Sequence, residues 1–97
     1  MITVKKIEKT LDKYREELKA KYKIKDIGIF GSYVRREAKK KSDIDILVDF
    51  ENAIDFFEFL ELEEYLSRIL KAKVDLVMKR ALKPHIGESI LREVIYV

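Results

Sequence analysis

The first twenty residues carry apolar side chains at helical spacing. Val4, Ile7, Leu11, Tyr14 and Leu18 follow at steps of three and four, with Lys, Arg and Glu between them. The pattern predicts one amphipathic helix over residues 3–22, with Thr3 as its N-cap. The period then changes. Residues 24–30 (IKDIGIF) are β-branched and aromatic and predict a short strand. Gly31-Ser32 marks a turn, followed by a helix-capable piece from Tyr33 to Ala38 and a polar loop at Lys39-Lys40-Lys41. Residues 44–50 (IDILVDF) alternate. Ile44, Ile46, Val48 and Phe50 share one face, and Asp43, Asp45, Leu47 and Asp49 share the other.

Residues 55–70 predict a strongly apolar helix. Its arc, which includes Phe56, Phe57, Phe59, Leu60, Leu62, Tyr65, Leu66, Ile69 and Leu70, is too wide for one buried stripe. Such a helix is buried on more than one side or meets a partner. Residues 74–78 (VDLVM) predict a third strand. Pro84 opens a last short helix whose apolar side is Ile86, Ile90, Leu91 and Val94. Ile95-Tyr96-Val97 either ends that helix or adds an edge strand.

The order α–β–α–β–α–β–α predicts an α/β (α+β) fold, a small mixed β-sheet with helices packed over it. Strand order does not follow from the pattern. With 97 residues, and no repeat, linker or low-complexity stretch, the expectation is a single domain over 1–97. No apolar run approaches the ~18 residues that span a bilayer, and no signal peptide is recognisable, so a cytoplasmic location away from membranes is expected.

Composition narrows the chemistry. The chain has no cysteine and one histidine, which excludes disulfides, Cys-ligated zinc, a thiol nucleophile and a multi-histidine metal site. Carboxylates, hydroxyls, lysines, arginines and backbone remain. The net charge of +3 is uneven: residues 1–50 hold 14 Lys/Arg against 9 Asp/Glu, and residues 51–97 hold 7 against 9. The basic half could attract an anion such as a nucleotide, but a charge of that size describes a solvated helix face better than a nucleic-acid surface. One Asn, no Gln and abundant Lys and Glu resemble the composition of heat-adapted proteins.

Three features stand out together. Asp43 and Asp45, at i and i+2 on a strand, project from one face and repel unless a cation lies between them. Hard oxygen ligands suit Mg²⁺ or Mn²⁺, and Mg²⁺ commonly takes one or two carboxylates plus substrate phosphates. Asp75 lies in an apolar strand, where burial without a partner is costly. Either it completes the acidic set or a lysine pairs with it. At Gly31-Ser32 a phosphate can approach the backbone closely, and a following helix start offers free N–H groups and a hydroxyl. Arg35 could contact phosphate, brace the acidic cluster, or simply pair with Glu37 or Asp45. Alone, Gly-Ser is a turn and Asp-x-Asp a solvated strand edge. Gly-Ser, ten residues, then Asp-x-Asp is expected by chance in roughly one chain in a thousand of this length.

The stretch Gly31-Ser32-Tyr33-Val34-Arg35 … Ser42-Asp43-Ile44-Asp45-Ile46-Leu47-Val48 resembles the signature of the DNA polymerase β-like nucleotidyltransferases, and more closely their minimal, MNT-type branch. The resemblance extends to Lys73-Val74-Asp75-Leu76-Val77, Ala81-Leu82-Lys83-Pro84 and the closing segment Ile90 to Val97. It implies that Asp43, Asp45 and Asp75 hold two Mg²⁺ ions (Mn²⁺ as a substitute) and that Gly31 and Ser32 bind the triphosphate of ATP, with Arg35 beside them. It implies transfer of AMP to a hydroxyl, a tyrosine's, of a partner HEPN-type toxin. The chain would then be the antitoxin of a type VII toxin–antitoxin pair. Two positions depart from the pattern: the family usually has a small residue where Val34 stands and commonly glycine where Arg36 stands. Once the catalytic core is counted, no residues remain for an acceptor-binding domain, so the acceptor is expected to dock on the core. The aromatic helix from Phe56 to Leu70 is one candidate surface, with core packing as its plainer explanation. Two other readings stay open: a non-catalytic antitoxin that masks its partner, and a nucleotidyltransferase acting on a small molecule or RNA. The sequence gives His85 no catalytic role.

Overall fold

The alternating segment IDILVDF becomes the centre of the sheet. In the computed structural model, which describes residues 2–97, it forms strand β2 (Ile44–Phe50). Its even-numbered side chains, Ile44, Ile46, Val48 and Phe50, are at most 2% exposed. Strand β1 (Ile24–Phe30) pairs antiparallel on one side, with Ile27 opposite Val48 and Ile29 opposite Ile46. An irregularity between Ile24 and Asp26 shifts the register by one residue, so Ile24 meets Phe50 on the core face while Asp26 meets Asp49 on the other. Strand β3 (Val74–Met78) runs parallel on the other side of β2. A parallel pair needs a crossover, which helix α3 (Phe56–Leu70) supplies. Strand β4 (Ile95–Tyr96) pairs antiparallel with β1, giving the order β3-β2-β1-β4. The mixed sheet expected from sequence is therefore present, and the tail resolves as an edge strand.

One face of the sheet carries the core. Helix α1 (Val4–Lys13) contributes Ile7 and Leu11, helix α2 (Arg15–Tyr22) contributes Leu18 and Tyr22, and α3 contributes Leu62, Leu66 and Leu70. Helix α4 (Pro84–Glu93) follows β3. At Gly28 on β1, Val94 and the β4 backbone come so close that an added Cβ would stand 2.6 Å from Val94 Cγ2. A glycine is what admits that approach.

Three expectations change. The single helix over 3–22 is two, because Tyr14 leaves helical geometry at φ −99° and ψ 7°. The hydrogen-bond ladder still crosses the step, with Tyr14 N–H donating to Thr10 and Leu18 N–H to Tyr14. The displaced Tyr14 ring packs edge-on against Tyr65, centroids 6.2 Å apart. The piece from Tyr33 to Ala38 is not a helix. A 3₁₀ turn spans Gly31–Tyr33 and closes at Arg36, which adopts φ +60°. There Arg36 N–H donates to Tyr33 and Glu37 N–H to Ser32, the paired bonds that terminate a helix. Finally, the wide apolar arc of α3 is only partly core: Phe56 and Phe57, in its first turn, are 67% and 80% exposed.

Candidate active site

Where β1 ends, the chain must turn sharply over the neighbouring strand, and Gly31 makes that turn at φ +81°. A Cβ on Gly31 would lie 2.0 Å from Asp45 Oδ2, so the glycine backbone rests directly against this carboxylate. Only glycine fits both the positive φ and the contact. Ser32 follows, half-buried, with its backbone N–H facing Asp45.

Asp45 lies in β2 in register with Asp75 on β3, and in a parallel pair such residues share a face. Asp43 stands just before β2. Burial pushes the Asp45 carboxyl above its ordinary value, and the charges of Asp75 and then Asp43 add to that shift. The Ser32 N–H and the Arg35 guanidinium pull weakly the other way. Contrary to the sequence expectation, Asp75 is exposed, because β3 is an edge strand and this face of it is open. Its backbone is nevertheless fixed from α3: Ser67 Oγ accepts the Val74 N–H at 3.1 Å and Glu63 Oε2 accepts the Leu76 N–H at 2.9 Å. The polar groups of α3 thus cover edge N–H groups on both sides of Asp75.

The chain has 21 Lys and Arg, yet among the described residues neither Asp45 nor Asp75 forms an ion pair. Asp43 has only a long contact to Lys73, 3.9 Å. The contrast is Asp49, on the same face four residues along β2. It is buried and met by Arg80 Nε at 3.0 Å, while the same guanidinium donates to the Phe50 carbonyl. The fold therefore neutralises the acid remote from Gly31-Ser32 and leaves the facing pair unpaired. Among the described residues no three acidic side chains converge into a closed cation cage. Carboxylate oxygens of this kind would suit a hard divalent cation that takes its remaining ligands from elsewhere. A hollow of about 310 Å³ adjoins Asp43, with Tyr33, Lys40, Lys41, Ser42 and Lys73 in its walls.

Arg35 pairs with Glu37 at 3.1 Å and, through Nη1, with both oxygens of Glu93 at 3.1 and 3.0 Å. Glu93 also accepts the Gly31 N–H. Sequence reasoning gave Glu93 no part in the site. Its signal was its place: a carboxylate in the last turn of a helix, where cations are favoured. His85 is exposed on the first turn of α4, away from these contacts.

The nucleotidyltransferase domain family matches residues 11–97. The protein adenylyltransferase MntA of Thermococcus cleftensis is 52% identical over 97 residues, covering 100% of this chain and 98% of that protein. A solved structure assigned as a minimal nucleotidyltransferase superposes with a TM-score of 0.80 at 31% identity, over 97% of this chain and 95% of the other. The solved complex of a tri-AMPylated Shewanella oneidensis HEPN toxin with MNT antitoxin gives a TM-score of 0.69 at 25% identity, over 93% of this chain and 70% of that one. Among the described residues no helix is long and apolar enough to cross a membrane. Fold and relatives agree: the chain belongs to the nucleotidyltransferase domain family, in its minimal form.

Proposed function

We propose that this protein is a Mg²⁺-dependent protein adenylyltransferase that transfers AMP from ATP to a tyrosine hydroxyl of a HEPN-type toxin and so serves as its antitoxin. The observation that carries this reading is the Asp45–Asp75 pair, opposed in register and unpaired beside the Gly31-Ser32 turn. Two Mg²⁺ ions held by Asp43, Asp45 and Asp75 would neutralise phosphate charge there, and Mn²⁺ could replace them. The Ser32 hydroxyl and the backbone of the turn seat the triphosphate. Lys40 and Lys41, on the wall of the hollow beside Asp43, add positive charge for the polyphosphate. Asp75, exposed on its edge strand, is reachable by a hydroxyl that another protein presents. That oxygen forms a bond to the α-phosphorus while the bond to the pyrophosphate oxygen breaks. Pyrophosphate leaves, and the hydroxyl proton passes to the Asp75 carboxylate. The residues position and neutralise, which is most of what this reaction asks of a protein. Mass spectrometry of a co-expressed HEPN-type partner tests the reading. AMP added to a partner tyrosine with the wild type, and absent with Asp45→Asn, supports it. An unmodified partner that is still neutralised would replace it with masking.

A further inference from the structure

Glu93 ends α4, at the carbonyl pole of the helix, where a carboxylate is disfavoured. Its side chain is not spent on that helix. One oxygen accepts the Gly31 N–H, and both oxygens take the Arg35 guanidinium at 3.1 and 3.0 Å. Gly31 and Arg35 are the two ends of the turn after β1, already joined by Arg35 N–H donating to the Gly31 carbonyl at 3.1 Å. A single carboxylate therefore pins both ends of the segment that contains Ser32. Gly31 in turn abuts Asp45 Oδ2, so any slide of the turn is felt at that carboxylate.

We infer that Glu93 is a positioning residue for the nucleotide: it fixes the Gly31–Arg35 turn and keeps the Arg35 guanidinium away from Asp45. This inference rests on the adenylyltransferase reading above. Two consequences of losing Glu93 follow from the contacts. The N–H of the buried Gly31 loses its acceptor. Arg35, whose charge already acts on Asp45, loses its partly buried counter-ion, keeps only the exposed Glu37 and can swing toward the unpaired acids. A guanidinium on Asp45 would compete with the cation that the acidic pair is suited to hold.

The test is binding of a non-hydrolysable ATP analogue with Mg²⁺ to the isolated protein, by calorimetry, with a thermal melt of each variant. Glu93→Gln keeps an acceptor for Gly31 but loses the charge. Its Kd is expected to rise at least threefold, and the Mg²⁺ concentration for half-maximal binding to rise with it. Glu93→Ala is expected to weaken binding about tenfold or more, in line with the loss of charge-assisted hydrogen bonds. If Glu93→Ala does not fold, Glu93→Gln decides alone. A Kd within threefold of wild type, even with a lowered melting temperature, means that Glu93 serves stability only and overturns the inference. Failure of the wild type itself to bind the analogue with Mg²⁺ counts instead against the adenylyltransferase reading.

Discussion

Asp45 stands opposite Asp75 across the parallel β2–β3 pair, and among the described residues neither forms an ion pair with a Lys or Arg. Burial of the Asp45 charge, and then its repulsion from Asp75, count against the stability of the folded chain. Asp45→Asn should therefore abolish AMP transfer and yet raise the melting temperature of the metal-free protein. Mg²⁺ should raise the wild-type melting temperature and have little effect on the variant. Scanning calorimetry with and without Mg²⁺ checks both; a variant less stable than wild type in the absence of metal would contradict this account.

Burial of Asp45, with the charges of Asp75 and Asp43 added, gives a pH dependence with a definite sign. Asp45 titrates in the folded state above its ordinary 3.8, so the folded protein binds the proton more tightly than the unfolded one. The destabilisation from Asp45 is absent below the unfolded value and grows as pH rises through the folded one. The advantage of Asp45→Asn in melting temperature should accordingly vanish in acid and be complete at neutral pH. An advantage that shrank with rising pH would assign the effect to another group.

Gly31→Ala tests the contact that joins turn and acid. At φ +81° a non-glycine residue costs about 1–3 kcal/mol, and the new Cβ would displace the Asp45 carboxylate. Denaturant unfolding should show a loss in that range, and AMP transfer should fall at least a hundredfold. Wild-type transfer in the alanine variant would separate the glycine from the chemistry.

The elements built on strict periodicity were legible in the sequence. The alternation of IDILVDF assigned each face of β2, and Asp43, Asp45, Asp75, Gly31 and Ser32 all fall at one end of the sheet. What failed to show was non-local. Nothing in the spacing indicates that Tyr14 steps out of helical geometry beside Tyr65. Asp75 looked buried because its neighbours are apolar, but burial depends on β3 being an edge strand, which is decided by pairing. Glu93 reaches Gly31 across 62 residues of chain, and no local pattern carries such a contact.

Arg36 is the departure from the family pattern that the fold makes measurable. It closes the turn after Ser32 at φ +60°, a conformation that favours glycine, and its side chain is exposed. Arg36→Gly removes the backbone penalty and gives back part of the gain as unfolded-state entropy. Urea unfolding should show a net stabilisation of about 0.5–1 kcal/mol. Destabilisation would mean that the Arg36 side chain makes a contribution its exposure does not suggest.

Helix α3 carries apolar residues of two kinds, and truncating each separates them. Leu62 is fully buried in the hydrophobic core, so Leu62→Ala leaves a cavity and should cost about 2–5 kcal/mol. Phe57 is 80% exposed and Phe56 67%, their rings meeting edge to face at 6.1 Å, so Phe57→Ala should change stability by less than about 0.5 kcal/mol. Denaturant unfolding of both variants checks the pair of values. The sequence allowed the whole aromatic helix to be core, and a Phe57→Ala loss comparable to that of Leu62→Ala would restore that reading. A neutral Phe57→Ala establishes instead that the ring does nothing for the isolated fold. Affinity of the same variant for a HEPN-type partner then has a clean interpretation, because any loss arises at the surface and not from a damaged core.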